Sequence, residues 1–289
     1  MKRFILLTIA MLLSVPHVYA ASCTACDAHV APGVNVFVDF TNEELVPVFA
    51  SSILPASAAD NQVSYFFLNG VRFEYIQQAA NSDIVPSLDT TGVSWNGATV
   101  KGGWVIPNDN TDNEGIEMSH GLTAGVTNTI LTIGTDTVDM GLTFAIPDVS
   151  DYDVMIVGVR KVAAYCAVVN QATTGASGPD CYSDFAGFNV NAGDIYSITN
   201  LNAAGLSAVD TALNWIDAEV HTLEVKVDLD GVASLYVDNT VLTSTQAGAN
   251  DGFTFDEDDT VMPMVIATKN ASVAADTPPI FLQYHWGIQ

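Results

Sequence analysis

Oxygen-bearing side chains crowd one stretch of this 289-residue chain. The run Asn108-Asp109-Asn110-Thr111-Asp112-Asn113-Glu114-Gly115 sets Asp109, Asp112 and Glu114 among amides and a hydroxyl. Hard cations such as calcium bind alternating oxygens of this kind. The glutamate that an EF-hand carries six residues after its glycine is missing, since position 121 is Gly121. Asn and Asp clusters also build ordinary turns, so a calcium loop and a plain turn both fit. A second acidic cluster, Asp256-Glu257-Asp258-Asp259, reads as a solvated loop between strands.

Four cysteines offer a different chemistry. Cys166 and Cys181 bracket the polar stretch VVNQATTGASGPD, which reads as a long hairpin tip. A disulfide closing it would stabilise the fold by about 3 kcal/mol. Cys23-Thr24-Ala25-Cys26 fits a small disulfide loop, a redox pair or half of a metal site with His29. Covalent haem needs a histidine directly after the second cysteine, and Asp27 stands there. No second CxxC completes a zinc site. A structural disulfide is the expectation for both pairs, because oxidised cysteines belong to exported proteins.

Nucleophilic catalysis finds little support. His29, His120, His221 and His285 lie beyond the first twenty residues, and none adjoins a nucleophile-elbow motif. Among the tryptophans, Trp286 sits inside the last apolar strand and Trp215 just before a strand. Trp95 and Trp104 are loop-adjacent, which makes them the candidates for stacking on a sugar ring.

The elements that must carry these residues are strands. VNVFVDF (34–40) alternates apolar and polar, and VSYFFLNGVRFEYI (63–76) reads as two strands around the hairpin turn Asn69-Gly70. DVMIVGVRK, VMPMVIA and IFLQYHWGI add further short strands. Helical periodicity is nearly absent, with one short turn expected over Ser207 to Trp215. Many short strands at this spacing predict an all-β sandwich or barrel.

The clearest element is WIDAEVHTLEVKVDLDGVASLYVDNTVL (215–242). Leu223, Val225 and Val227 alternate with Glu224, Lys226 and Asp228. A two-residue turn at Asp230-Gly231 would pair Lys226 with Leu235 and bring charge onto the apolar face. A three-residue loop, Leu229-Asp230-Gly231, pairs Val227 with Ala233, Val225 with Leu235 and Leu223 with Val237. Only the second register keeps one face dry. It also places Gly231 at the left-handed end of a type I turn with a bulge. Glu224, Lys226 and Asp228 then fall on the wet face.

The first twenty residues read as a signal peptide: basic Lys2-Arg3, an apolar run from Phe4 to Val15, Pro16, and Val18-Tyr19-Ala20 before the cleavage point. The chain is therefore expected to be exported, to an extracellular, cell-surface or periplasmic site. No later segment is long and apolar enough to cross a membrane as a helix. Beyond the signal, 6 basic residues face 33 acidic ones, a net charge of −27. Such a field repels nucleic acid and anionic membranes. Residues 21–60 form an amino-terminal segment with the CxxC, and 61–289 form the β-sandwich, which the strand near 34–40 joins.

The segments 215–242, GFTFDEDDTVMPMVIA (252–267) and IFLQYHWGIQ (280–289) resemble the closing strands of the concanavalin A-like lectin/glucanase superfamily. More narrowly, GGWVIPNDNTDNEGIEMSHG (102–121) and DVSDYDVMIVGVRKVAAY (148–165), with the carboxyl-terminal region, are similar to structural proteins of marine tailed phages. The signal peptide and cysteine pairs depart from that group. The resemblance implies a two-sheet antiparallel jelly roll, in which calcium loops and sugar-binding faces are common. Superfamily glycosidases carry Glu-x-Asp-x-x-Glu on one strand, to set two carboxylates about 5–9 Å apart. The nearest spacing here, Glu224-x-Lys226-x-Asp228, has a lysine at its centre. The expectation is a non-catalytic sandwich that binds glycans or a cell-surface component. A structural protein of a virion or surface layer, capable of self-association, comes second. A polysaccharide-active enzyme comes third.

Overall fold

The computed structural model describes the backbone of the strands named below. It describes side chains at Glu117, at Pro179 and within residues 131–149, 154–163, 182–201, 205–247, 255–267 and 279–288. The amino-terminal strands are β1 (Val36–Asp39), β2 (Asn61–Leu68), β3 (Val71–Gln78), β4 (Ser87–Leu88), β5 (Val93–Trp95), β6 (Ala98–Val100), β7 (Trp104–Val105) and β8 (Glu114–Ser119). Next come β9 (Leu131–Thr132), β10 (Val138–Ala145), β11 (Val154–Lys161), β12 (Phe185–Asn191), β13 (Asp194–Asn200) and β14 (Ser207–Asn214). The remaining elements are β15 (Val220–Val227), β16 (Val232–Val237), β17 (Thr240–Val241), helix α1 (Ser244–Ala247), β18 (Phe253–Thr254), β19 (Thr260–Lys269) and β20 (Ile280–Gly287).

Two antiparallel sheets form a sandwich. Sheet A runs β17-β16-β15-β10-β20-β7-β4, with β1 also paired to β20 and β18 to β16. Sheet B runs β14-β13-β12-β11-β19-β8-β3-β2, with β9 also paired to β19; β5 and β6 make a separate ribbon. The chain changes sheets between β10 and β11 and again between β14 and β15. Its closing strands return to both sheets, β19 beside β11 and β20 beside β10. This is the all-β sandwich that the strand pattern left open beside a barrel, with the two antiparallel sheets that the resemblance implied.

The diagnostic hairpin has the three-residue loop. Val227 pairs with Ala233, Val225 with Leu235 and Leu223 with Val237. Gly231 is left-handed at φ 80°. Its N–H donates to the Asp228 carbonyl, and the Asp228 N–H donates to the Val232 carbonyl. The Asp228 carboxylate accepts from the N–H groups of Asp230 and Val232, which locks the turn. At the other end of the chain, Leu68 pairs with Val71, so a two-residue link at Asn69-Gly70 joins β2 and β3.

The outer face of sheet A is polar over the middle of β10 and β15 and buried at its far end by Ala145, Ile280 and Leu282. β11 of sheet B, by contrast, is buried on both faces, and the sequence pattern follows. In sheet A, Val138, Met140, Leu142 and Phe144 of β10 point inward beside Leu223, Val225 and Val227. The residues between them are polar or small. In sheet B, Met155, Val157 and Val159 enter the shared core while Val154 and Ile156 of the same strand enter a second cluster with Phe185, Met264 and Ile266. A strand buried on both faces loses its alternation and reads as a continuous apolar run, as DVMIVGVRK does.

Trp215 anchors one end of the core. Its ring stacks on Phe144 at 4.4 Å, and its Nε1 donates to the Glu219 carbonyl at 3.0 Å. Trp215 and Trp286 are both 1% exposed, so both are core residues. Burying an apolar neighbour such as Phe144 stabilises by about 1.5–3 kcal/mol.

Two expectations are corrected. Ser207 to Asn214 is strand β14, not a helical turn. A left-handed Ala212 (φ 58°) and a register shift opposite Ile195/Tyr196 disrupt the period that suggested helix. The described helix is α1, where the Gln246 side chain reaches back to the Thr243 N–H in the manner of a capping box. Likewise, Asp259 is not solvated. It is 7% exposed, and its carboxylate holds Lys161 at 2.5 Å and the Asp256 N–H at 3.2 Å.

Candidate polar site on the outer face of sheet A

β15, β10 and β20 are neighbours in sheet A. Their inward residues are apolar, so alternation turns Asp139, Glu224, Lys226 and His285 to the opposite face. The register aligns them. Glu224 lies opposite Gly141, Gly141 opposite His285, and Asp139 opposite Lys226. The Tyr236 position on β16 extends the first row beyond Glu224. Thr222 and Thr143 form the next row, their hydroxyls 2.8 Å apart.

Gly141 sets the position of the imidazole. A Cβ there would overlap His285 Cε1 and come within 2.9 Å of Nε2. The ring therefore lies across the strand where a side chain is missing. His285 Nε2 is 3.0 Å from Asp139 Oδ1 and 3.4 Å from Glu224 Oε1. Lys226 Nζ is 3.1 Å from Glu224 Oε1, 3.7 Å from Asp139 Oδ2 and 5.2 Å from the centre of the Tyr236 ring. Two carboxylates and two cations thus form a compact, charge-balanced cluster, and one donor atom each from Asp139, Glu224 and His285 lie within 4.8 Å of one another.

Electrostatics follow from this packing. Burial disfavours a proton on His285, but the two carboxylates outweigh it and push its pKa up to about 9. Burial likewise opposes ionisation of Asp139, yet His285 and Lys226 hold its carboxyl below the ordinary range. A histidine that holds its proton more tightly when folded stabilises the fold fully below its ordinary value of 6.5. That contribution is lost as pH rises through about 9. With a side chain 30% exposed, screening reduces the effect to about 2 kcal/mol. Thermal melts of the wild type should therefore lose stability between pH 6.5 and 9, and His285→Gln should flatten much of that slope. An equally steep slope in the variant would mean that other groups carry it.

A second histidine sits near the end of the same sheet. His221 Nδ1 is 2.7 Å from Asp238 Oδ2, and Nε2 is 3.2 Å from Glu219 Oε2. Chiefly through Asp238, its pKa is raised against the effect of burial.

The residues favoured from sequence lie elsewhere. Trp104 falls in β7 of sheet A, opposite Phe281, whereas Trp95 ends β5 in the separate ribbon. Glu114 opens β8 in sheet B, opposite Lys269. Asp109 and Asp112, the cysteines Cys23, Cys26, Cys166 and Cys181, and the first twenty residues fall outside the described residues. Glu224 is corrected: placed on the wet face by the hairpin, it is only 8% exposed because His285 and Lys226 close over it. Asp139 and His285 were missed. The alternation of VDMGLTF (138–144) would have put Asp139 and Gly141 on one face, but nothing in the sequence pairs β10 with β20, whose first residue, Ile280, lies 142 positions after Val138.

No protein-family model matches this chain, and a search of curated proteins finds no match. Solved structures with a similar fold do exist. The globular domain of T. cruzi calreticulin is 9% identical, with 74% of this chain and 84% of that one covered, at a TM-score of 0.45. A protein of unknown function from Shewanella oneidensis MR-1 is 14% identical over 89% and 87%, at 0.46. The carbohydrate recognition domain of Emp47p is 15% identical over 72% and 91%, at 0.43. At these scores the likenesses carry no argument about activity. The sandwich rests on its own strand pairing.

Proposed function

We propose that this chain is a non-catalytic, exported β-sandwich that binds glycans or a glycan-bearing surface through the outer face of sheet A. The observation that carries this is the convergence of Asp139, Glu224, His285 and Lys226 beside the Tyr236 ring and the Thr143–Thr222 hydroxyl pair. Sugar hydroxyls are bound by fixed carboxylates and cationic donors, and the apolar edge of a sugar ring packs on an aromatic face. Binding is favoured over catalysis because both carboxylates stand in ion pairs, Asp139 with His285 and Glu224 with Lys226. A glycosidase needs one carboxyl group kept neutral as an acid. Here Asp139 is held ionised by His285 and Lys226, and it stands in an ion pair.

A glycan array probed with the chain from Ala21, in calcium and in chelator, tests the reading. Binding is expected, and Glu224→Gln or Tyr236→Ala should reduce it at least tenfold. Loss in chelator that added calcium restores would direct attention to Asp109, Asp112 and Glu114. Trp104, in the same sheet, is the tryptophan to substitute first. Silence in every condition overturns the reading and favours a structural building block of a virion or cell-surface layer.

A further inference from the structure

We propose that Asp139, Glu224 and His285 form a binding site for a zinc-class divalent transition-metal ion. Three adjacent strands each supply one donor, one imidazole nitrogen and two carboxylate oxygens. The spacing suits the ion. Zinc bonds to nitrogen and oxygen are about 2.0–2.2 Å, so neighbouring donors of a tetrahedral site stand roughly 3.4 Å apart. His285 Nε2 already lies 3.0 Å and 3.4 Å from the two carboxylate oxygens. The imidazole favours zinc, nickel or copper over calcium, which takes oxygen ligands.

The surroundings are shaped for the site as well. Gly141 lets the imidazole lie across the strand toward both carboxylates, a position that any side chain would deny. The donors remain reachable, with side-chain exposures of 30%, 23% and 11% for His285, Asp139 and Glu224. Two cations compete for the site: the proton on His285 Nε2, which the incoming ion must release to solvent, and Lys226. The Lys226 ammonium neutralises the same oxygens, and an arriving ion displaces it toward the Tyr236 ring, where it already lies within cation–π range. The site does not depend on glycan binding, because the ion alone is its ligand.

Calorimetric titration of zinc chloride into the full chain as exported, stripped with chelator, tests the proposal. One saturable equivalent is expected that His285→Gln loses. Lys226→Met should tighten the same equivalent several-fold, which removal of a merely structural lysine would not do. Cobalt should substitute without a thiolate charge-transfer band, which keeps the cysteines separate. Circular dichroism confirms that each variant is folded. Absence of a saturable equivalent, its survival in His285→Gln, or a thiolate band would overturn the assignment. The array experiment uses no zinc, so failure of one reading leaves the other standing.

Discussion

Replacing Arg160 by alanine is expected to destabilise the fold by about 3–5 kcal/mol, the usual cost of stripping one partner from a buried ion pair. Arg160 and Glu117 side chains are both fully buried, with Nε 3.0 Å from Oε1. The guanidinium also donates to the carbonyls of Lys161 and Ala163 at 3.2 Å each, and its carbon lies 4.1 Å from the centre of the Tyr182 ring. The Tyr182 hydroxyl donates to the second Glu117 oxygen. Removing the guanidinium leaves a buried carboxylate that keeps, among the described residues, the Tyr182 hydroxyl as its partner. The pair joins β11 to β8 across the intervening strand β19, so its loss should loosen sheet B as a unit. Urea unfolding checks this. The double variant Arg160→Met/Glu117→Leu should recover a large part of the loss, since apolar replacements remove the uncompensated charge. If the single variant melts within 1 kcal/mol of wild type, the pair is solvated in solution, contrary to its burial.

Gly231→Val should cost about 3 kcal/mol, of which about 1–2 comes from forcing a side chain into the left-handed region and the rest from overlap. The residue stands at φ 80°, and a Cβ there would collide with the carbonyl oxygen of Phe255. That oxygen belongs to backbone, which cannot swing aside as a flexible side chain would. The same contact is tied by a hydrogen bond from the Phe255 N–H to the Gly231 carbonyl at 3.0 Å. Gly205 is the natural control. It is also left-handed, at φ 92°, but nothing lies within 4 Å of its Cβ position. Gly205→Ala should therefore lose only the conformational share, about 1 kcal/mol. Equal losses at the two sites, read from chemical denaturation, would show that the Phe255 collision relaxes.

The hairpin 215–242 was legible because every constraint on it is local. Alternation chose its faces, turn chemistry chose Gly231, and a register slip would have exposed Val225 and buried Lys226. β11 and β19 were legible as strands but not as doubly covered ones, since an apolar run gives no hint of what lies on each side. β14 was misread because a bulge at Ala212 mimics a change of period. The charges of Glu224 were visible and assigned to water, since a hairpin alone leaves that face open.

What the sequence determined by itself was therefore the strand content, the dry face of the hairpin and its turn, all set by interactions within a few residues. Only the tertiary structure decided that β10 lies between β15 and β20, and with it that Asp139, Glu224 and His285 meet over Gly141. Strand order in a sandwich is chosen by the packing of whole apolar faces between sheets. That choice is a sum over the entire core, and no short stretch of sequence contains it.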